Sequence, residues 1–200
     1  MCPKSFLFNG TEVRLVPYQG QDTCPETKIA FYVPSDGTFG VRIFHNGKML
    51  KINPNPNKHG KANDHGKQTY LDFKDAWGHH RHISSARAVY SAWEAPIPPK
   101  MTIDHINGNT LCNRIENLRC VCSAINSRDG GFLQKLRNKG INPTYFARPL
   151  ILRFYDRMAE FKATHTRSAY ERLTREELLQ MLVGNEYTIV DPNILMEIEK

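Results

Sequence analysis

The stretch from Met101 to Arg128 constrains the fold more than any other part of the chain, because its signals arrive in the order strand, loop, strand, helix. Met101-Thr102-Ile103 reads as a strand running into Asp104-His105, and Asn107-Gly108-Asn109 breaks it. Leu118-Arg119-Cys120-Val121-Cys122 is the second strand. Ser123 is a suitable N-cap for the helix that follows at once, and Gly130-Gly131 should end or bend that helix unless Phe132, Leu133 and Leu136 carry it onward.

The residue types in this unit suit one chemistry. Hydrolysis of a phosphodiester with a single metal needs hard oxygen ligands for the cation and a base within reach of the attacking water. Asp104 offers a carboxylate and Asn126, in the first turn of the helix, a carboxamide oxygen, both suited to Mg²⁺. His105 is a neutral imidazole able to accept a proton near neutral pH. Adjacent side chains on a regular strand point to opposite faces, so Asp104 and His105 serve one site only if the strand bends or ends there. Taken alone, Asp104-His105 reads rather as a polar strand end beside an Asn-Gly turn.

The linked motifs decide between these readings. Ala86-Arg87-Ala88-Val89-Tyr90-Ser91-Ala92-Trp93, Pro96-Ile97-Pro98, Ile103-Asp104-His105-Ile106-Asn107-Gly108-Asn109, Asn113-Arg114-Ile115-Glu116-Asn117-Leu118-Arg119 and finally Asn126 together resemble the HNH nucleases of the homing-endonuclease type. The resemblance implies an α+β fold with a ββα-metal (HNH, or His-Me finger) core. It also implies Asp104 and Asn126 as metal ligands, His105 as general base, and Asn117 as the residue that braces the loop and orients His105. Enzymes of this kind leave a 3′-hydroxyl and a 5′-phosphate. Ala86 stands where the family usually has His, and Asn126 replaces the final His of the name.

Around this core the signals are coarser. Between Lys28 and Ile52, β-rich runs separated by Pro34-Ser35-Asp36-Gly37 and His45-Asn46-Gly47-Lys48 predict three strands. This part also resembles the β-rich module found ahead of such cores in phage and mobile-element nucleases, although Pro34 is an extra residue in the usual pattern. Asn53 to Lys67 reads as an exposed loop or boundary, Tyr70 to Phe73 as a strand, and Gly78 to His82 as a loop. Ser84 to Trp93 has helical spacing, stopped by Pro96-Ile97-Pro98-Pro99. From Leu150 onward Phe154, Met158 and Phe161 predict an amphipathic helix, followed by capping boxes at Ser168…Glu171 and Thr174…Glu177. The expected division is a β-rich module over 1–82, a nuclease core over 83–139, and a helical region over 140–200.

Charge then speaks to partners. The 27 Lys+Arg exceed the 20 Asp+Glu to give +7, with the excess concentrated in 131–175 and reversed in 176–200. Double-stranded DNA is the expected partner, with Arg87, Arg114, Arg119, Arg128, Lys135 and Arg137 as phosphate contacts. A solvated charged face is the alternative for each of these cations. One divalent ion is expected, Mg²⁺ ahead of Mn²⁺. Five cysteines without a Cys-x-x-Cys pair predict neither structural zinc nor a disulfide framework. No run of eighteen apolar residues and no apolar leader is present, so the sequence-based expectation is a cytoplasmic protein of a bacterial or phage-infected cell, with no membrane or obligate protein partner. The competing expectation is a catalytically inactive DNA-binding protein or phage component that reuses the same fold.

Overall fold

A computed structural model describes residues 3–17, 30–44, 46–56, 68–74 and 80–184. The chain is of mixed α+β type and forms two compact units, Met1–Asn126 and Ser127–Lys200. Among the described residues no helix is long and apolar enough to cross a membrane.

The first unit opens with a five-stranded antiparallel sheet in the order β1 (Ser5–Phe8), β2 (Thr11–Leu15), β3 (Ala30–Val33), β4 (Gly40–Ile43) and β5 (Met49–Ile52). The last three are the strands expected from the β-rich runs. The first two are joined by Asn9-Gly10, both at positive φ (50° and 81°), the tight turn whose twist matches paired strands. All four residues of β3 are buried, and the period of two sends them to different cores. Phe31 and Val33 join Val16, Leu71, Ala86, Ala88, Val89 and Leu118, whereas Ala30 and Tyr32 join Val13, Phe39 and Val41.

The first of these cores forms around α1 (Ser85–Trp93), where Ala86, Ala88 and Val89 are buried and Arg87 stays exposed. Small residues at these positions let the helix lie close to its neighbours. Its indole end is fixed too, since Trp93 Nε1 donates to the Val33 carbonyl at 3.0 Å while Arg14 stacks over the ring at 4.0 Å. A three-stranded sheet of β6 (Asn55–Pro56), β7 (Thr69–Lys74) and β8 (His80–Ser84) completes this part. The loop expected at Gly78 to His82 is therefore corrected: His80, Arg81 and His82 belong to a strand, and His82 Nδ1 meets Asp72 Oδ1 on the facing strand at 2.5 Å. Gly78 and His79 lie outside the described residues, as do 57–67 of the expected boundary loop.

β9 (Met101–His105) and β10 (Leu118–Cys122) pair antiparallel, and α2 (Ser123–Asn138) leaves directly from β10. Ser123 is the first helical residue rather than the cap. The helix also continues through Gly130-Gly131, neither of which has a neighbour within 4 Å of where a Cβ would lie. Glycines cost an exposed helix about 1 kcal/mol each relative to alanine. Burial of Phe132, Leu133 and Leu136 on the other face outweighs that and holds the helix together.

The second unit contains the rest of α2 with α3 (Arg148–Thr164), α4 (Arg167–Arg172) and α5 (Arg175–Val183). Ile151, Phe154, Tyr155 and Met158 form the buried stripe of α3, and Leu178 and Leu182 that of α5. Thr174 and Glu177 make the expected reciprocal cap. The other expected cap is displaced by two residues: Thr166, not Ser168, accepts from the backbone at the start of α4.

Candidate active site

β9 ends at His105, and the chain turns at once. Gly108 N–H donates to the His105 carbonyl at 2.7 Å with Gly108 at φ 71°, a conformation glycine adopts without strain. The strand stops just after His105, which with Asp104 still belongs to the β9–β10 ladder, and the following loop is fastened from within. Asn107 Oδ1 accepts from Asn109 N–H at 2.9 Å, and Asn109 Oδ1 accepts from Leu111 N–H at 3.1 Å.

Asn117 closes that loop from its far side. It is buried, its Oδ1 accepts from Asn107 N–H at 3.1 Å, and its Nδ2 donates to the Cys112 carbonyl at 2.9 Å. Its own carbonyl accepts from Ile106 N–H at 2.8 Å. Every one of these bonds is to backbone, so Asn117 holds the loop's shape and reaches His105 only through it.

His105 itself is 6% exposed. Its Nε2 lies 3.0 Å from Asn113 Oδ1, and among the described residues its Nδ1 has no hydrogen-bond partner. Burial lowers the pKa from 6.5 because a charged imidazole loses its hydration, while the Asn113 bond and the charge of Asp104 pull the other way. The ring is thus set up as a neutral base. Asn113, absent from the site expected from the sequence, is the side chain that touches it.

Asp104 lies directly opposite Arg119 in the β9–β10 ladder. Arg119 donates from Nε at 2.9 Å and from Nη2 at 2.7 Å to the same oxygen, Oδ2. Oδ1 accepts nothing among the described residues. Asn126 is half-buried in the first turn of α2, as expected, and its side chain likewise has no hydrogen-bond partner among the described residues. One carboxylate oxygen and one amide oxygen without partners are donors of the kind a hard divalent cation takes. Among the described residues no three of His, Cys, Asp and Glu gather into a metal-binding group. A cation held at Asp104 would therefore draw on oxygen donors other than a cluster of carboxylates, cysteines and histidines.

The expected phosphate contacts divide by environment. Arg87 and Arg114 are exposed. Arg119 is engaged with Asp104, and Arg128 with the fully buried Asp129 at 2.7 Å. Lys135 donates to the Glu171 carbonyl at 3.3 Å and sits over the Tyr170 ring; burial, then Lys139, lowers its pKa. Arg137 is half-buried near the end of α2. A cleft of about 330 Å³ beside α1 takes in His82, Arg87, Ser91 and Ile97 but none of Asp104, His105, Asn117 or Asn126.

No curated protein and no solved structure matches the chain. Residues 89–128, which run from the middle of α1 through β9 and β10 into α2, match the family model of the HNH endonucleases, and that match supports a nuclease role for this segment.

Proposed function

We propose that the chain is a divalent-metal-dependent endonuclease acting on double-stranded DNA and leaving 3′-hydroxyl and 5′-phosphate ends. The observation that supports this best is the state of His105: buried, held at one ring nitrogen by Asn113, without a partner at the other among the described residues, and adjacent to a carboxylate with an open oxygen.

In this reading Asp104 and Asn126 hold the cation, Mg²⁺ or Mn²⁺, which when bound supplies Lewis-acid stabilisation of charge on the phosphate. His105 takes a proton from the attacking water at Nδ1, and its low proton affinity keeps it ready to do so at neutral pH. Asn117 keeps the loop from Asn107 to Cys112 closed, so that the end of β9 stays in place. Arg114, Arg87 and the basic residues of the helical region track the phosphates, and the β-rich residues 1–82 add contacts outside the core.

Supercoiled plasmid incubated with the protein and Mg²⁺, with and without EDTA, tests the proposal. Nicked or linear product only in the metal arm is expected, and it should vanish in His105→Ala while duplex binding persists. A second reading, a DNA-binding protein that has kept the fold without the reaction, draws on Arg119, which already neutralises Asp104. Intact plasmid across several metals and substrates, with duplex binding retained, would favour it.

A further inference from the structure

Two asparagines are buried around the loop, and they behave differently. Asn117 addresses only backbone, the ordinary occupation of a buried amide. Asn113, 5% exposed, spends both ends of its amide on side chains. Its Nδ2 donates to Thr69 Oγ1 at 2.8 Å and its Oδ1 faces His105 Nε2 at 3.0 Å. Side chain to side chain bonds are the minority class in folded proteins, about 10–15% of the total, and here two of them meet on one residue.

The segments that fix Asn113 come from distant parts of the sequence. Thr69 begins β7. A Cβ on Gly37, in the turn between β3 and β4, would lie 2.9 Å from Asn113 Cβ, so that turn closes against the base of the side chain. Two residues further along, Ile115 N–H donates to the Ser35 carbonyl of the same turn at 2.9 Å. Asn113 is thus set in place by the β3–β4 turn and aimed by β7.

A neutral imidazole carries one N–H and one lone pair, and an amide oxygen can only accept. With Nδ2 turned to Thr69, the atom that Nε2 meets is an acceptor. The proton must then sit on Nε2, and the lone pair on Nδ1. We propose that Asn113 is a positioning residue of the nuclease site: with its Nδ2 donating to Thr69 and its Oδ1 on the ring, it locks His105 as the Nε2–H tautomer and so makes Nδ1 the atom that receives the proton from water. The assignment rests on the reading of His105 as the base. It also gives the β-rich residues a part in the chemistry, because Gly37 and Thr69 act on the base through Asn113.

The imidazole ¹⁵N shifts of the full-length protein test this without turnover. Spectra recorded at about pH 8, where a histidine is neutral, distinguish the tautomers directly. The His105 signals are identified by their loss in His105→Gln. The wild-type ring should be Nε2–H, and Asn113→Ala should release it to a mixture of tautomers and lower plasmid nicking by about 10–100-fold. Asn113→Asp presents only acceptors to Nε2, so it should restore the Nε2–H form and part of the nicking even if the alanine variant folds poorly. Thr69→Val should give a partial mixture. An Nδ1–H ring in the wild-type protein, or a tautomer unmoved by Asn113→Ala, would overturn the proposal while leaving the nuclease reading intact. A wild-type protein that cuts no DNA, yet shows a tautomer governed by Asn113, would uphold the coupling and remove the nuclease reading instead.

Discussion

Asp104 and Arg119 face each other across the β9–β10 hairpin, with both donor contacts of the guanidinium falling on the single oxygen Oδ2. The pair is nearly enclosed, at 16% and 15% side-chain exposure for Arg119 and Asp104. Hydrogen bonds to charged groups in such surroundings stabilise by about 1.5–3 kcal/mol. Arg119→Met should therefore lower the melting temperature of the metal-free protein, and it should strengthen the response to cation because Asp104 loses its counter-ion. Thermal denaturation in EDTA and in excess Mg²⁺ measures both, since a ligand that binds only the folded state raises its stability by mass action. An equal Mg²⁺-induced rise in wild type and variant would show that Asp104 is not a ligand.

Asn117 gives a second, separable prediction. Alanine there strands the Asn107 N–H and the Cys112 carbonyl in a part-buried loop, at a cost of up to about 1–3 kcal/mol for each group left without a partner. Urea unfolding of Asn117→Ala should show a lower midpoint with an unchanged slope, and nicking should fall with it as the end of β9 loosens. Asn117→Asp is expected to be no better, because it replaces the donor to Cys112 with a second acceptor. Stability equal to wild type in either variant would mean the loop is held by its internal asparagine turns alone.

The buried base carries a pH signature of its own. Burial lowers the proton affinity of folded His105 below 6.5, with Asn113 and the Asp104 carboxylate partly opposing, so the unfolded chain takes up this proton at higher pH than the folded one. Between the two values the unfolded state binds more protons, and stability rises with pH. The contribution is complete above the unfolded value and is lost as pH falls toward the folded one. In EDTA, the urea midpoint from about pH 8 down to about pH 5 should fall more steeply for wild type than for His105→Gln. Parallel curves would place the imidazole in solvent.

Much of this arrangement was legible in the sequence where the signal was local. The order strand, loop, strand, helix over 101–129, the helix from Ser84 to Trp93 and the Thr174 cap all rest on neighbours within a turn or two, and elements of these kinds formed there. The β1–β2 hairpin is equally local, announced by Asn9-Gly10 between the apolar Phe6-Leu7-Phe8 and the alternating Thr11 to Leu15, although the sequence-based expectations place no strand there. His80 and His82 carry loop signals in the sequence, because what makes them strand is pairing with β7, a partner that adjacency does not reveal. Gly130-Gly131 misled in the opposite direction, since burial of Phe132, Leu133 and Leu136 prevailed over local propensity. Asn113 shows the limit within the site: its motif stood in plain view, but choosing it over Asn117 as the partner of His105 required Thr69 and Gly37, which only the folded chain brings to it.

Gly37 supplies the most demanding prediction, because two independent effects act on one methyl group. Its φ of 66° lies in the left-handed region, which costs an alanine about 1 kcal/mol or more. The added Cβ would also meet Asn113 Cβ at 2.9 Å and Val89 Cγ2 at 3.0 Å, neither of them the free end of a long flexible chain. The Val89 contact belongs to the core around α1 and the Asn113 contact to the candidate site, so relief on one side loads the other. Gly37→Ala should destabilise the fold by about 1–3 kcal/mol, in the range of overpacked positions. Paired with Val89→Ala, which opens room on the core side, it should recover part of the stability without disturbing Asn113 further. Urea midpoints of the two single variants and the double variant form the cycle that checks this. Strict additivity of the two losses would mean that the turn does not press on α1, and with it would go the account of how the β3–β4 turn is seated.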